Sequence, residues 1–186
     1  MSRSEASPRR PAVLVVGTEV PDGAALVRAL HRLGRVVVAG SADQAVLQEL
    51  EGDCALALTV GLSDPRSLPL SIETAQARVG PITGVVFLVA EDSAQPGAAM
   101  GHAVDALAAL GALLPGCTAV VVGTGPVGAG VAAWARLEGH IGGMQLRGLS
   151  LRAGTLGQDD VAQGVVAGVV AAGAAPRFRA WWRRWS

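Results

Sequence analysis

Gly123-Thr-Gly125-Pro-Val-Gly128 spaces three glycines as GxGxxG between an aliphatic run and a helical one. That spacing lets a backbone turn sharply and come close to a pyrophosphate, which then rests on the N–H groups of the helix start. An adenine-ribose site of this kind usually has an acidic residue at the end of the next strand. Here the predicted strand Leu149–Ala153 carries Arg152 there, a cation that would suit a 2′-phosphate. The same glycines also serve a strand–helix turn chosen only for close packing. A second glycine turn, Gly17–Gly23, follows the first aliphatic run of the chain.

Other residue types with chemistry are scattered. His31, His102 and His140 fall in three different predicted helices, with no metal-ligand spacing and no triad legible between them. Glu91 and Asp92 sit at the end of a predicted strand and read as a solvated loop, with a paired-carboxylate role as the alternative. Cys54 and Cys117 lie far apart and read as buried thiols rather than as a disulfide or a metal pair. Two absences weigh more. The chain contains 0 Tyr, and all 15 of its basic residues are Arg. No phenol is available as a proton donor and no lysine amine as a nucleophile or a partner for such a phenol.

The C-terminus concentrates Arg177, Phe178, Arg179, Trp181, Trp182, Arg183, Arg184 and Trp185. Tryptophan and arginine dominate interface hot spots. The segment reads as a tail docking on a partner subunit through Phe178, Arg179, Trp181, Trp182 and Trp185. An anchor to an anionic surface and a segment folding back on its own domain are the alternatives.

These residues need elements to hold them, and the pattern supplies alternating strands and helices. Short aliphatic runs predict strands at Ala12–Val16, Val36–Ala39, Cys54–Val60, Thr83–Val89, Thr118–Val122 and Leu149–Ala153. Helical periodicity predicts helices over Ala24–Leu33, Ala42–Glu51, Leu68–Val79, Gly101–Leu114, Val131–Leu146 and Val161–Ala171. Ser41 is the expected N-cap of the second helix, with Ala45, Val46 and Leu50 facing inward. Asp159 and Asp160 suit the N-terminus of the last. This alternation predicts an α/β protein: a Rossmann-like doubly wound parallel sheet with helices on both faces, in a single domain. Residues 1–10 read as a disordered N-terminal tail, 11–175 as the Rossmann-like domain and 176–186 as the Arg/Trp-rich tail.

The bulk numbers agree. At 186 residues one domain is expected. The apolar fraction is 51%, enough for a sizeable core. Net charge is zero, so nothing argues for nucleic acid as a partner. Apolar runs reach only strand or short-helix length, so no transmembrane segment is expected, and MSRSEASPRR lacks the apolar region of a signal peptide. A cytoplasmic protein follows.

The phrases PAVLVVGTEVPDGAALVRALHRLGRVVVAGS, LTVGLSDPRSL, ARVGPITGVVFLVAEDS and LSLRAGTLGQDDVAQGVVAGVV occur in an order and spacing that resemble the short-chain dehydrogenase/reductase family, from Pro11 to Ala172. The chain is shorter than a usual member, mostly between the fourth and sixth strands. The resemblance implies a doubly wound fold and a dinucleotide on the first βα turn. Carried over by position, Gly17 and Gly23 match the first and last glycines of that turn, but the middle one falls on Pro21. A proline offers no N–H to a phosphate, and Glu19 and Asp22 add negative charge beside it. The family's adenine-contacting Asp falls on Gly61, and its Asn-Asn-Ala-Gly turn on Ala90-Glu91-Asp92-Ser93. Its catalytic Ser lies near Gly123 or Thr124, its Tyr near Gly130 and its Lys near Trp134. The Gly123–Gly128 turn and the Ala-Arg pair in the helix after it also look like the turn of medium-chain dehydrogenases.

The expectation is therefore a catalytically inactive subunit of that fold, with no catalytic residue and no metal. Gly17, Gly23, Gly123, Gly125 and Gly128 would be vestigial cofactor contacts at most. No cofactor is expected on this chain, while NADP or NAD would be held by the partner. The implied partner is a catalytically active short-chain reductase paralogue, a ketoreductase or alcohol dehydrogenase of a biosynthetic or catabolic pathway, joined as a hetero-oligomer. The alternatives are an active NAD(P)-dependent oxidoreductase using Gly123–Gly128, with Thr124 or His140 as acid, and a scaffold or sensor that takes no nucleotide.

Overall fold

The computed structural model describes residues 11–60, 65–89, 96–152, 154, 155 and 157–170. The tails 1–10 and 176–186, together with Gly61 and the stretch 90–93, lie outside these. So do the five tail residues expected at a partner interface.

Seven strands form one sheet in the order β3-β2-β1-β4-β5-β7-β6. They are β1 (Ala12–Val16), β2 (Val36–Ser41), β3 (Leu56–Thr59), β4 (Ile82–Val89), β5 (Thr118–Thr124), β6 (His140–Ile141) and β7 (Met144–Leu151). All pairs are parallel except β6 with β7. The sequence runs outward from β1 to β3, then restarts at β4 on the other side of β1. The order therefore reverses between β1 and β4, the place where such sheets open a crevice at their carboxyl ends.

The central strands are continuous aliphatic runs because both their faces are covered. Helices α1 (Gly23–Arg32), α2 (Gln44–Glu49) and α6 (Asp159–Val170) pack on one face. Helices α3 (Leu68–Val79), α4 (Pro96–Leu113) and α5 (Gly125–Glu138) pack on the other. Alternation along β4 divides the two cores: Val85, Phe87 and Val89 face α3 to α5, and Val86 and Leu88 face α1 and α6. Phe87 is wholly buried, a burial worth about 1.5–3 kcal/mol. Among the described residues no helix is long and apolar enough to cross a membrane.

The doubly wound parallel sheet is as expected, and four local expectations are corrected. The fifth helix runs from Gly125 to Glu138 and not to Leu146. Gly139 in the left-handed region ends it, and Gly142 and Gly143, with φ of 54° and 85°, turn β6 back into β7. Two adjacent positive-φ glycines between paired residues Ile141 and Met144 are what a tight hairpin requires. His140 is consequently on a strand, and the sixth predicted strand becomes the eight-residue β7. The fourth helix begins at Pro96, five residues before Gly101. The second helix is capped by Asp43, whose carboxylate accepts the Ala45 N–H at 2.8 Å. Its buried residues are Leu47 and Leu50, and Ala45 is exposed. Ser41 instead closes β2, with its hydroxyl oxygen accepting the Asp43 N–H at 3.0 Å.

Layer spacing over β7 is set by Gly148. A Cβ added there would lie 1.7 Å from the carbonyl oxygen of Ala132 in α5. Gly148→Ala therefore pushes α5 off the sheet, and its urea midpoint should correspond to a loss of about 1–3 kcal/mol. Gly130→Ala, in the same helix with nothing within 4 Å, should gain about 0.5–1 kcal/mol.

Candidate functional site

The carboxyl ends of β1, β4, β5 and β7 carry both glycine turns. Gly17 leaves β1 with φ 85°, and a Cβ there would lie 2.6 Å from the carbonyl oxygen of Leu88 in β4. Only glycine fits that conformation and that approach. Gly17 N–H and Thr18 N–H both donate to Gly40 O, at 3.1 and 3.2 Å, and the buried Thr18 hydroxyl donates to the same oxygen at 3.2 Å. These bonds lock the turn to the end of β2. Gly23 closes it: its N–H donates to Val20 O at 2.8 Å, and a Cβ there would lie 2.5 Å from Thr18 O.

Charge fills the turn. Asp22 precedes α1 in the left-handed conformation, φ 68° and ψ 2°, and its carboxylate does not cap that helix. Among the described residues it is the one non-glycine with positive φ, a conformation that costs about 1 kcal/mol for most residues and less for Asp. Its carboxylate instead accepts the N–H of Gly154, at 2.5 Å, from the segment after β7. Glu19 accepts the Ser41 hydroxyl at 2.8 Å. Ser41 sits at the end of β2, where the ribose contact of a dinucleotide is usually made. Pro21 adds no donor. Two carboxylates thus belong to this turn, one bonded towards Gly154 and the other towards Ser41.

Gly157, after β7, lies against the start of α1. A Cβ on Gly157 would lie 2.8 Å from the Cβ of Ala25. Within the segment the Thr155 hydroxyl donates to Arg152 O at 2.7 Å, and Gln158 N–H donates to Thr155 O at 3.1 Å. At the start of α6, Asp159 pairs with Arg32 of α1 at 2.8 Å. That pair is exposed and worth under about 1 kcal/mol.

The second glycine turn is tighter than its spacing suggests. β5 continues through Thr124, and α5 starts at Gly125 with φ 71°, so Gly125–Gly128 is the first turn of the helix. A Cβ on Gly123 would lie 1.8 Å from Gly128 O, and one on Gly128 would lie 2.4 Å from Val89 O. Gly123 and Gly128 therefore bring α5 onto β5 and β4. Gly125 is exposed, and Thr124, the N-cap, makes no side-chain capping bond. Thr124 pairs with Leu151 across the ladder, so Arg152 emerges next to the same helix start. Among the described residues, this adjacency of Arg152 and the start of α5 is a feature that a phosphate site would use.

The remaining expected groups stay apart. His31, His102 and His140 are exposed on α1, α4 and β6. Among the described residues no three His, Cys, Asp or Glu could hold a metal ion. Cys54 and Cys117 are free thiols. The Cys117 thiol donates to Ile82 O at 3.2 Å, and burial raises its pKa. Burial likewise raises that of Cys54, outweighing the backbone N–H groups of Leu56 and Ala39 that favour the thiolate. The contact of Asp22 with Gly154, 132 residues away, had no signal in the sequence beyond an acidic residue at a turn.

A raised thiol pKa has a defined consequence for stability. The folded thiol holds its proton to a higher pH than the unfolded one, whose ordinary value is 9.0. Stability from this source is complete below 9.0 and falls as pH rises through the folded value. The urea midpoint should therefore drop as pH rises above the ordinary thiol value of 9.0, and Cys117→Ala should flatten that drop.

No protein-family model matches the chain, and no curated protein matches it by sequence. Solved structures do match it in fold. A structure described as a short-chain dehydrogenase/reductase from Sinorhizobium meliloti 1021 superimposes with a TM-score of 0.56 at 18% identity, over 90% of this chain and 91% of that one. A short-chain oxidoreductase from Pseudomonas aeruginosa PAO1, described as containing an atypical catalytic center, gives 0.56 at 17% identity, over 73% and 67%. A variant of the actinorhodin polyketide ketoreductase with NADPH gives 0.52 at 16%, over 73% and 68%. The resemblance to short-chain dehydrogenases/reductases is therefore one of fold: a Rossmann-like, single-domain α/β fold.

Proposed function

We propose that this chain is a non-catalytic subunit of the short-chain reductase fold. It would assemble with a catalytically active relative and support that relative's stability or substrate pocket. The observation that carries the reading is chemical. The fold is that of a reductase, and the chain has no Tyr and no Lys from which to build the proton donor and its cation. The filling of the first βα turn by Asp22 and Glu19 supports it, since a dinucleotide's pyrophosphate would meet two carboxylates there. The cofactor, NADP or NAD, would then belong to the partner, as NADPH does in the actinorhodin ketoreductase structure. The body of the subunit would be residues 11–175. Residues 176–186, with Phe178, Arg179, Trp181, Trp182 and Trp185, would supply the anchor on the partner.

Purification from the native host should bring down a reductase that carries both Tyr and Lys in its active site. Removing residues 176–186 should abolish that recovery. The purified chain alone should show no NADPH or NADH oxidation at 340 nm with a panel of ketones, and turnover by the chain alone would defeat the reading.

A second reading rests on Arg152 beside the uncapped start of α5. There the chain would bind NADPH through the Gly123–Gly128 turn and act as an oxidoreductase. It requires NADPH to perturb the amides of Val127 to Ala129, and Gly125→Arg to remove that effect. No perturbation in the parent protein ends it.

A further inference from the structure

We infer that the groove between the end of α1 and the second half of α6 is the seat of this chain's own segment 171–186, held there by one of its tryptophans while no partner is bound. The inference rests on the non-catalytic-subunit reading above only in taking residues 176–186 as the part that meets a partner. It adds where that part is kept in the free subunit.

The groove lies at the amino end of the sheet, where Leu33 and Arg35 flank Gly34 just before β2. Leu33, Arg35, Gln163, Val166 and Ala167 line a hollow of about 370 Å³. Leu33 and Val166 pack on the core beneath α1 and α6, so its floor continues the buried aliphatic surface. Gln163 and Arg35 are exposed at its rim. Among the described residues Arg35 has no ion-pair partner, whereas Arg32 is held by Asp159. Aliphatic walls, one amide and one cation suit an indole. The ring takes the walls, its N–H has an acceptor in the Gln163 side-chain carbonyl, and its face attracts the guanidinium.

The place where α6 ends selects the occupant. A Cβ on Gly84, near the start of β4, would lie 1.8 Å from Cγ1 of Val169. The helix has therefore reached the amino end of the sheet by its last turn. Val170 is its last residue, one turn beyond Val166 and Ala167. Residues 171–186 thus set out from beside the groove, and Trp181, Trp182 and Trp185 are among them. From Val170 to Trp181 the chain can span up to about 36 Å, and the return to the groove is one helical turn, about 5 Å. The intervening AAGAAP combines small residues with a proline, a composition that permits a turn back. A tethered group also meets the groove at a high effective concentration, which a free ligand or a separate chain does not.

Amide shifts of the full chain, compared with those of the chain lacking residues 176–186, are the first test. Leu33, Gln163 and Ala167 should shift on deletion, and Ile72 of α3, on the opposite face of the sheet, should not. Ala167→Arg fills the groove and sets a second cation beside Arg35. In that variant trypsin should cut after Arg177 and Arg179 about tenfold faster than in the parent, with the sheet amides of the parent retained. Gln163→Ala, which removes the acceptor, should speed the cut about threefold. Groove amides unmoved by the deletion overturn the inference, as does a parent cut as fast as Ala167→Arg. Groove shifts that vanish on dilution, as a dimer passes to monomer, also overturn it, because the seated segment then belongs to a second copy. The deletion leaves α6 untouched, so it decides the matter even where Ala167→Arg fails to fold. All of these measurements use the chain alone. Partner recovery and ketone turnover, which test the non-catalytic-subunit reading, therefore fail or succeed separately.

Discussion

The structure depends on how closely two turns approach the last residues of β4. The missing Cβ of Gly17 would lie 2.6 Å from Leu88 O on one side, and that of Gly128 would lie 2.4 Å from Val89 O on the other. These contacts seat the exit of β1 and the first turn of α5 against adjacent residues of one central strand. A side chain at Gly17 would strain the turn leaving β1, and one at Gly128 would lift α5 and open the layer beneath it. Gly148 under α5 and Gly84 under α6 apply the same constraint further down the sheet.

This close packing changes the meaning of the glycines. A glycine turn at the end of a strand is usually read as room left for a phosphate. At β1 the room is taken by the chain's own carboxylates and by the segment after β7. At β5 the contact of Gly123 with Gly128 seats α5 on the strand and leaves Gly125 exposed at the helix start. The sheet, helices and glycines recur as in the solved structures that share the fold, while the first turn carries the chain's own carboxylates.

The likeness to solved reductases fits this division. Fold agreement at 16–18% identity requires only that apolar runs and glycines recur in order. It places no demand on the reacting groups, because function resides in a few side chains grafted onto a common body. Among such side chains Tyr and Lys do not occur anywhere in the chain.

The sequence by itself determined the strand and helix order, the parallel sheet and the absence of a phenol and an amine. Strands such as Ala12–Val16 and Val85–Val89 are legible because a strand buried on both faces must be aliphatic throughout. The hairpin at Gly142-Gly143 was less legible, because helical periodicity in its neighbours ran on past Gly139 and hid the φ that ends the helix. Only the tertiary structure decided what the glycine turns do. Asp22 meets Gly154 across 132 residues, and Arg32 meets Asp159 across 127. Such pairs leave no trace in local periodicity. They exist because α1 and α6 share one face of the sheet, and layer and register are properties of the assembled chain.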